Sequence, residues 1–63
     1  MDVYIEKTNQ KLKHTAKNVK ELLNDLDINP DTVLVSKNNE IVLPDEDLSE
    51  TDDIKIISVV SGG

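Results

Sequence analysis

Val3 and Ile5 alternate with Asp2, Tyr4 and Glu6, the period-two pattern of a strand with one buried face. Thr8-Asn9-Gln10 has turn chemistry, and Leu12 and His14 continue a weaker alternation between Lys11, Lys13 and Thr15. The pattern predicts an N-terminal hairpin over residues 2–7 and 10–15. The period then changes. Val19, Leu22, Leu23 and Leu26 stand at i, i+3, i+4 and i+7, one face of a helix. Asn18 is a suitable N-cap with Glu21 three residues on, a partial capping box. Ile28 closes the apolar face just past the helix, and Asn29-Pro30-Asp31 stops it, because proline disfavours helical backbone in the residue before it.

The second half reads as strands. Thr32–Ser36 is β-branched and apolar. Lys37-Asn38-Asn39-Glu40 is a turn in which Asn accepts positive φ, and Ile41-Val42-Leu43 returns as a short strand ended by Pro44. Residues 45–53 form an acidic loop, with a short helical turn expected around Asp45–Leu48. Ile54–Val60 has the highest strand propensity in the chain. Strand, strand, helix, strand, strand, strand, with one helix to cover one face of one mixed sheet, predicts an α+β β-grasp domain of order ββαβββ. The last strand is too apolar for an edge, so it belongs inside the sheet beside the first. The expected division is a folded domain over residues 1–60 and a flexible Ser-Gly-Gly tail at 61–63.

Composition narrows the function classes. The chain has 63 residues, of which 20 are Val, Ile or Leu, enough for one core but not for a second domain or a deep catalytic pocket. There is no Cys, hence no disulfide framework, thiolate metal site or cysteine nucleophile. The longest apolar run, Val33–Val35, is far too short to span a bilayer, and no secretory signal opens the chain. A soluble cytoplasmic protein is expected. The net charge of −6, with seven Lys and no Arg, disfavours direct binding to nucleic acid. Seven acids and no Lys fall within residues 38–53: Glu40, Asp45, Glu46, Asp47, Glu50, Asp52 and Asp53. This run reads either as a solvated loop or as an electrostatic docking face for a basic partner. As a calcium loop starting at Asp45 it fails, since its sixth and twelfth positions hold Glu50 and Ile56 rather than Gly and Glu. His14 is the single histidine, without a recognisable nucleophile or orienting carboxylate, and reads as structural or solvent-facing. No metal site and no catalytic residue are expected.

The most informative residues are Gly62 and Gly63, the only glycines. Without Cβ atoms they can lie extended in a narrow channel and leave a carboxylate accessible. They follow the most apolar strand, separated from Val60 by Ser61. With the helix Asn18–Ile28, the strand Thr32–Val35, the stretch Asn39–Pro44 and the closing piece Thr51–Gly63, the sequence resembles the ubiquitin-like β-grasp proteins. The likeness is greatest to the small sulfur carriers and archaeal small modifiers of the ThiS/MoaD-like superfamily. It departs from many of these at two points. Asp27 follows the helix and Asp52-Asp53 forms the acidic turn, where relatives carry Gly, so both places are expected to press on the backbone.

The resemblance implies a carrier rather than an enzyme. An adenylating, ubiquitin-activating-like enzyme would use ATP and magnesium to activate the Gly63 carboxylate, with no cofactor bound to the carrier. A sulfurtransferase would then give a thiocarboxylate for a sulfur-accepting enzyme in tRNA thiolation, thiamine or molybdopterin synthesis. Alternatively or in addition, the carboxyl would be joined to lysines of target proteins. Gly63 would be the reacting residue, Gly62 would give slender access, and Ser61 would begin the arm. Alternation places Tyr4, Lys55, Ile57 and Val59 on the face away from the helix, a candidate partner patch; Lys20 and Lys55 are candidate self-conjugation sites. The rival reading is a non-conjugating interaction module that binds through the acidic loop or the sheet face.

Overall fold

The computed structural model describes residues 1–59. Val60, the expected end of the last strand, and the tail Ser61-Gly62-Gly63 lie outside the described residues. The elements in chain order are β1 (Asp2–Ile5), β2 (Gln10–Lys13), α1 (Val19–Asp25), a one-turn 3-10 helix (Pro30–Thr32), β3 (Val33–Lys37), β4 (Glu40–Val42) and β5 (Asp53–Ser58). The strands form one mixed sheet in the order β2-β1-β5-β3-β4. The expected β-grasp arrangement is present, and β5 lies inside the sheet, parallel to β1 and antiparallel to β3. Each expected strand is a residue or two shorter or shifted, and Thr32 belongs to the 3-10 turn rather than to β3.

The core lies between the sheet and α1. Val3, Val35, Ile54 and Ile56 from the sheet meet Val19, Leu22 and Leu23 from the helix. A helix of seven residues is too short to persist alone in water, so this packing is what holds it. Leu26 and Ile28 extend the apolar seam, as their spacing predicts.

The N-terminus of α1 is capped differently from a full capping box. The Asn18 side chain accepts a bond from Glu21 N–H at 2.8 Å. The free N–H groups of Val19 and Lys20 donate instead to Glu46 O at 3.1 Å and Pro44 O at 2.8 Å. Leu48 N–H in turn donates to Lys17 O, and Asn18 and Asp47 form an isolated bridge. The turn here falls earlier than expected, at Pro44 and Asp45, where Glu46 N–H donates to Leu43 O at 3.0 Å; Asp47 instead bridges Asn18, so no helical turn covers Asp45–Leu48.

At the other end of α1 the chain makes a Schellman turn. Ile28 N–H donates to Leu23 O at 2.8 Å and Asp27 N–H to Asn24 O at 3.1 Å. Asp27 takes φ 58°, the left-handed position that glycine usually fills. The backbone pressure expected there is real. The pressure expected at Asp52-Asp53 is absent, since neither residue has a positive φ. Asn38 and Asn39, at φ 52° and 71°, make the two-residue turn between β3 and β4.

Asn38 also fastens the β3–β4 turn to the start of β5. Its amide donates to Asp52 Oδ1 at 3.0 Å, and its Oδ1 accepts from Asp53 N–H at 3.0 Å. Asp52 is buried, and its other carboxylate oxygen accepts from Ser49 N–H at 2.8 Å. Lys37 Nζ donates to Glu46 Oε2 at 2.7 Å and to Asp47 O at 3.0 Å. The acidic segment is therefore not only a solvated loop. Two of its carboxylates and several of its carbonyls tie the helix N-terminus to one end of the sheet.

Candidate functional site: the outer sheet face and the end of the last strand

Period-two alternation sends Val3, Ile54, Ile56 and Val35 into the core and their neighbours to the opposite, outer face. Register then fixes which outer residues are adjacent. Tyr4 lies between Lys11 on β2 and Lys55 on β5, and Ser36 lies between Lys55 and Ile41 on β4. One step further along β5, Ile57 is paired with Leu34. Val59 follows β5 and donates its N–H to Thr32 O at 3.0 Å, which holds this stretch against the start of β3.

Tyr4, Lys55 and Ile57 thus share the outer face, as alternation predicts, and Val59 lies just beyond the end of β5. They do not form one apolar patch. Tyr4 is half-buried among lysines, with its hydroxyl donating to Asn9 Oδ1 at 2.6 Å. The apolar part lies towards the end of β5, where Ile57 is joined by Leu34 (46% exposed) and Val59 (51%), while Ile41 (58%) stands on β4 beside Ser36. Leu34 and Ile41 are not among the patch residues expected from the sequence. The signal was present, because in Val33-Leu34-Val35 strict alternation must turn the middle residue outward.

The two ends of the sheet differ. β1 and β5 both run from an acidic end, with Asp2 opposite Asp53, towards the apolar end where Val59 leads into residues 60–63. The six residues of β5 separate the ends by five steps of about 3.3 Å, roughly 17 Å. Gly63, Gly62 and Ser61 lie outside the described residues; Val59, the last described residue, lies beside the start of β3 and at the end of β5 remote from the acidic segment.

Two groups have shifted proton affinities. The Asp52 carboxyl is held below the usual carboxylate range by Ser49 N–H first and by the Asn38 amide second. Hydrogen bonding to Glu46 raises Lys37 above the ordinary lysine value. His14 Nε2 lies 3.0 Å from Asp25 Oδ2, a carboxylate partner that the sequence pattern did not reveal. The pair joins the hairpin to the last helical residue at a half-exposed site. Lys20 is exposed on α1 and Lys55 on β5, both accessible to modification. Among the described residues, no three His, Cys, Asp or Glu side chains gather to hold a metal, and no helix is long and apolar enough to cross a membrane.

Comparison with known proteins adds a family. The model of the ThiS family matches residues 2–63, nearly the whole chain and including both glycines. An uncharacterized protein of Archaeoglobus fulgidus is 46% identical over 43 residues, 68% of this chain and 63% of that protein. Sulfur carrier protein TtuB of Thermus thermophilus is 31% identical over 45 residues, 71% of this chain and 69% of its own length. The matched stretches span about two thirds of these relatives.

Proposed function

The chain belongs to the ThiS family, and from that premise we propose that it is a sulfur carrier acting through the carboxylate of Gly63. The observation that carries the reading is the family match through residue 63, joined to the resemblance to a protein named as a sulfur carrier. The proposed domain covers residues 1–60, with 61–63 as the reactive arm.

The chemistry asks little of the carrier's own side chains. A Gly63 carboxylate oxygen bonds to the α-phosphorus of ATP on an adenylating enzyme, and pyrophosphate leaves. The terminal sulfur of a sulfurtransferase persulfide then attacks the acyl carbon, AMP leaves with one of the original carboxylate oxygens, and a thiol reductant cleaves the resulting acyl disulfide by two electrons. The product is a terminal thiocarboxylate, a sulfur nucleophile for an accepting enzyme in tRNA thiolation or in thiamine or molybdopterin synthesis. ATP and magnesium belong to the activating enzyme. The same adenylate, attacked by a lysine amine, gives an isopeptide as AMP and a proton leave, and exposed Lys20 and Lys55 are the proposed acceptors on a second copy. Gly62 keeps the approach to the acyl carbon narrow. The apolar outer residues Leu34, Ile57 and Val59 would dock the enzyme beside the point where the arm begins.

The test is pyrophosphate exchange catalysed by the adenylating enzyme of the protein's own cells. The full chain should support exchange. Deletion of Gly62 and Gly63 should abolish it while circular dichroism and Tm remain unchanged. A truncated chain that retains its cellular function would favour an interaction module instead.

A further inference from the structure

The outer face of the sheet is graded along β5. At the tail end it is apolar, through Leu34, Ile57 and Val59. One pleat repeat further on, about 7 Å, lies a row in which Lys11, Tyr4, Lys55 and Ser36 stand side by side. At the far end Asp2 and Asp53 face each other, with Lys13 beside Asp2. The middle and far rows line an open concavity of about 860 Å³.

Its charge is opposite to that of the molecule. Three lysines against two aspartates line this hollow, in a chain of net charge −6. None of the three is in an ion pair among the described residues, where the pairs formed are His14–Asp25 and Lys37–Glu46. Lys11 and Lys55 flank a tyrosine ring that Asn9 fixes by its hydroxyl, and Ser36, buried at 7% exposure, floors the hollow beside Lys55. A partner that only needed the apolar end would gain nothing from these ammonium groups. A partner with carboxylates one pleat repeat from its apolar anchor would find them in register.

The geometry points to the Lys11–Tyr4–Lys55 row as the docking site for an acidic segment of the protein that takes the tail, with Leu34 and Ile57 as the adjoining apolar anchor. It rests on the carrier reading for the partner's identity, but not for the surface's ligand chemistry. Long-range attraction to an acidic segment also solves a physical problem. A chain of this net charge repels acidic partners overall, so the cationic row orients the approach.

Two experiments separate the claims. The first is titration of isotope-labelled full chain with hexaglutamate peptide at low salt, followed by amide NMR shifts. Shifts should concentrate at Tyr4, Lys11, Ser36 and Lys55 and vanish in the Lys11→Glu/Lys55→Glu variant, whose fold is checked by its remaining spectrum. Shifts spread evenly over all seven lysines, or none at all, overturn the proposal. The second is pyrophosphate exchange with the adenylating enzyme. The double variant should raise KM about tenfold at unchanged kcat, more so at low salt. Lys7→Glu/Lys17→Glu, with equal charge change away from the row, should leave KM near wild type. Equal effects from both pairs would also overturn the proposal. If wild type gives no exchange while the peptide shifts appear as described, the carrier reading fails and the acidic-ligand site stands.

Discussion

Replacing Asp27 by glycine should make this protein more stable. Asp27 is exposed, sits at φ 58°, and closes the Schellman turn in which Ile28 N–H reaches Leu23 O. An L-residue in the left-handed region costs about 1–2 kcal/mol, and Asp belongs near the lower end because it visits that region more readily than most. Glycine removes that cost but returns roughly 0.5 kcal/mol through a more flexible unfolded chain. The substitution also takes a carboxylate from beyond a helix C-terminus whose last turn has no basic residue, a gain of about 0.3–1 kcal/mol. The net expectation is stabilisation by about 1 kcal/mol, or a Tm higher by about 4–8 °C in a domain of this size. Thermal unfolding by circular dichroism, with urea unfolding to check that the m-value is unchanged, measures it. Asp27→Asn isolates the charge and should recover only that smaller part. Asp27→Ala, which relieves the charge but keeps a Cβ, should fall below Asp27→Asn. A glycine variant no more stable than the asparagine variant would refute the account of this turn.

Three further outcomes are expected. Leu22→Ala, at a fully buried position between helix and sheet, should cost about 2–5 kcal/mol in urea unfolding, a large part of the stability of a 63-residue domain. Asp52→Asn should destabilise the fold at neutral pH, with the difference from wild type closing in acid. The native carboxyl lies below its unfolded value, so its contribution is complete above about pH 4 and is lost as pH falls through the folded value; Tm against pH for both proteins measures this. Leu34→Ser and Ile57→Ser should leave the unfolding free energy within about 1 kcal/mol of wild type yet reduce activation by the adenylating enzyme about fivefold or more, as loss of an interface anchor does. Wild-type kinetics in both would remove the apolar end as a docking surface.

Much of the architecture is legible in the sequence because its signals agree. The change from period two to period 3.6 at Val19, the proline stop and the Asn-Asn turn all point to the same order of elements. The lone-helix argument then requires a mixed sheet, and the apolar character of β5 places it inside. What was not legible depends on contacts between distant segments. Nothing local says that the carbonyls of Glu46 and Pro44 will serve Val19 and Lys20, or that Asp47 will bridge Asn18 instead of joining a helical turn. Asp52 looks like one more solvated acid until Asn38 and Ser49 are brought to it. Asp25 is eleven residues from His14, and only packing of the hairpin against α1 makes them neighbours.

The site was legible in part for the same reason. Alternation alone assigns Tyr4, Lys55 and Ile57 to the outer face, since it is a property of each strand. Their grouping depends on register between strands, which no single strand encodes. Register puts Tyr4 with Lys11 and Lys55, and Ile57 with Leu34, so one expected patch becomes an apolar end and a cationic row. It also sets the acidic segment at the far end of β5 from Val59. Val59, the last described residue, therefore stands at the apolar end.

The most direct test of the carrier proposal is the intact mass of the native protein isolated from its own cells under sulfur-replete growth, with alkylation to trap any terminal thiocarboxylate. The account predicts a population in which one oxygen of the Gly63 carboxyl is replaced by sulfur, absent when the adenylating enzyme is deleted. A chain that stays unmodified under replete and sulfur-limited growth alike, with no Gly-Gly remnant on any lysine, would contradict it.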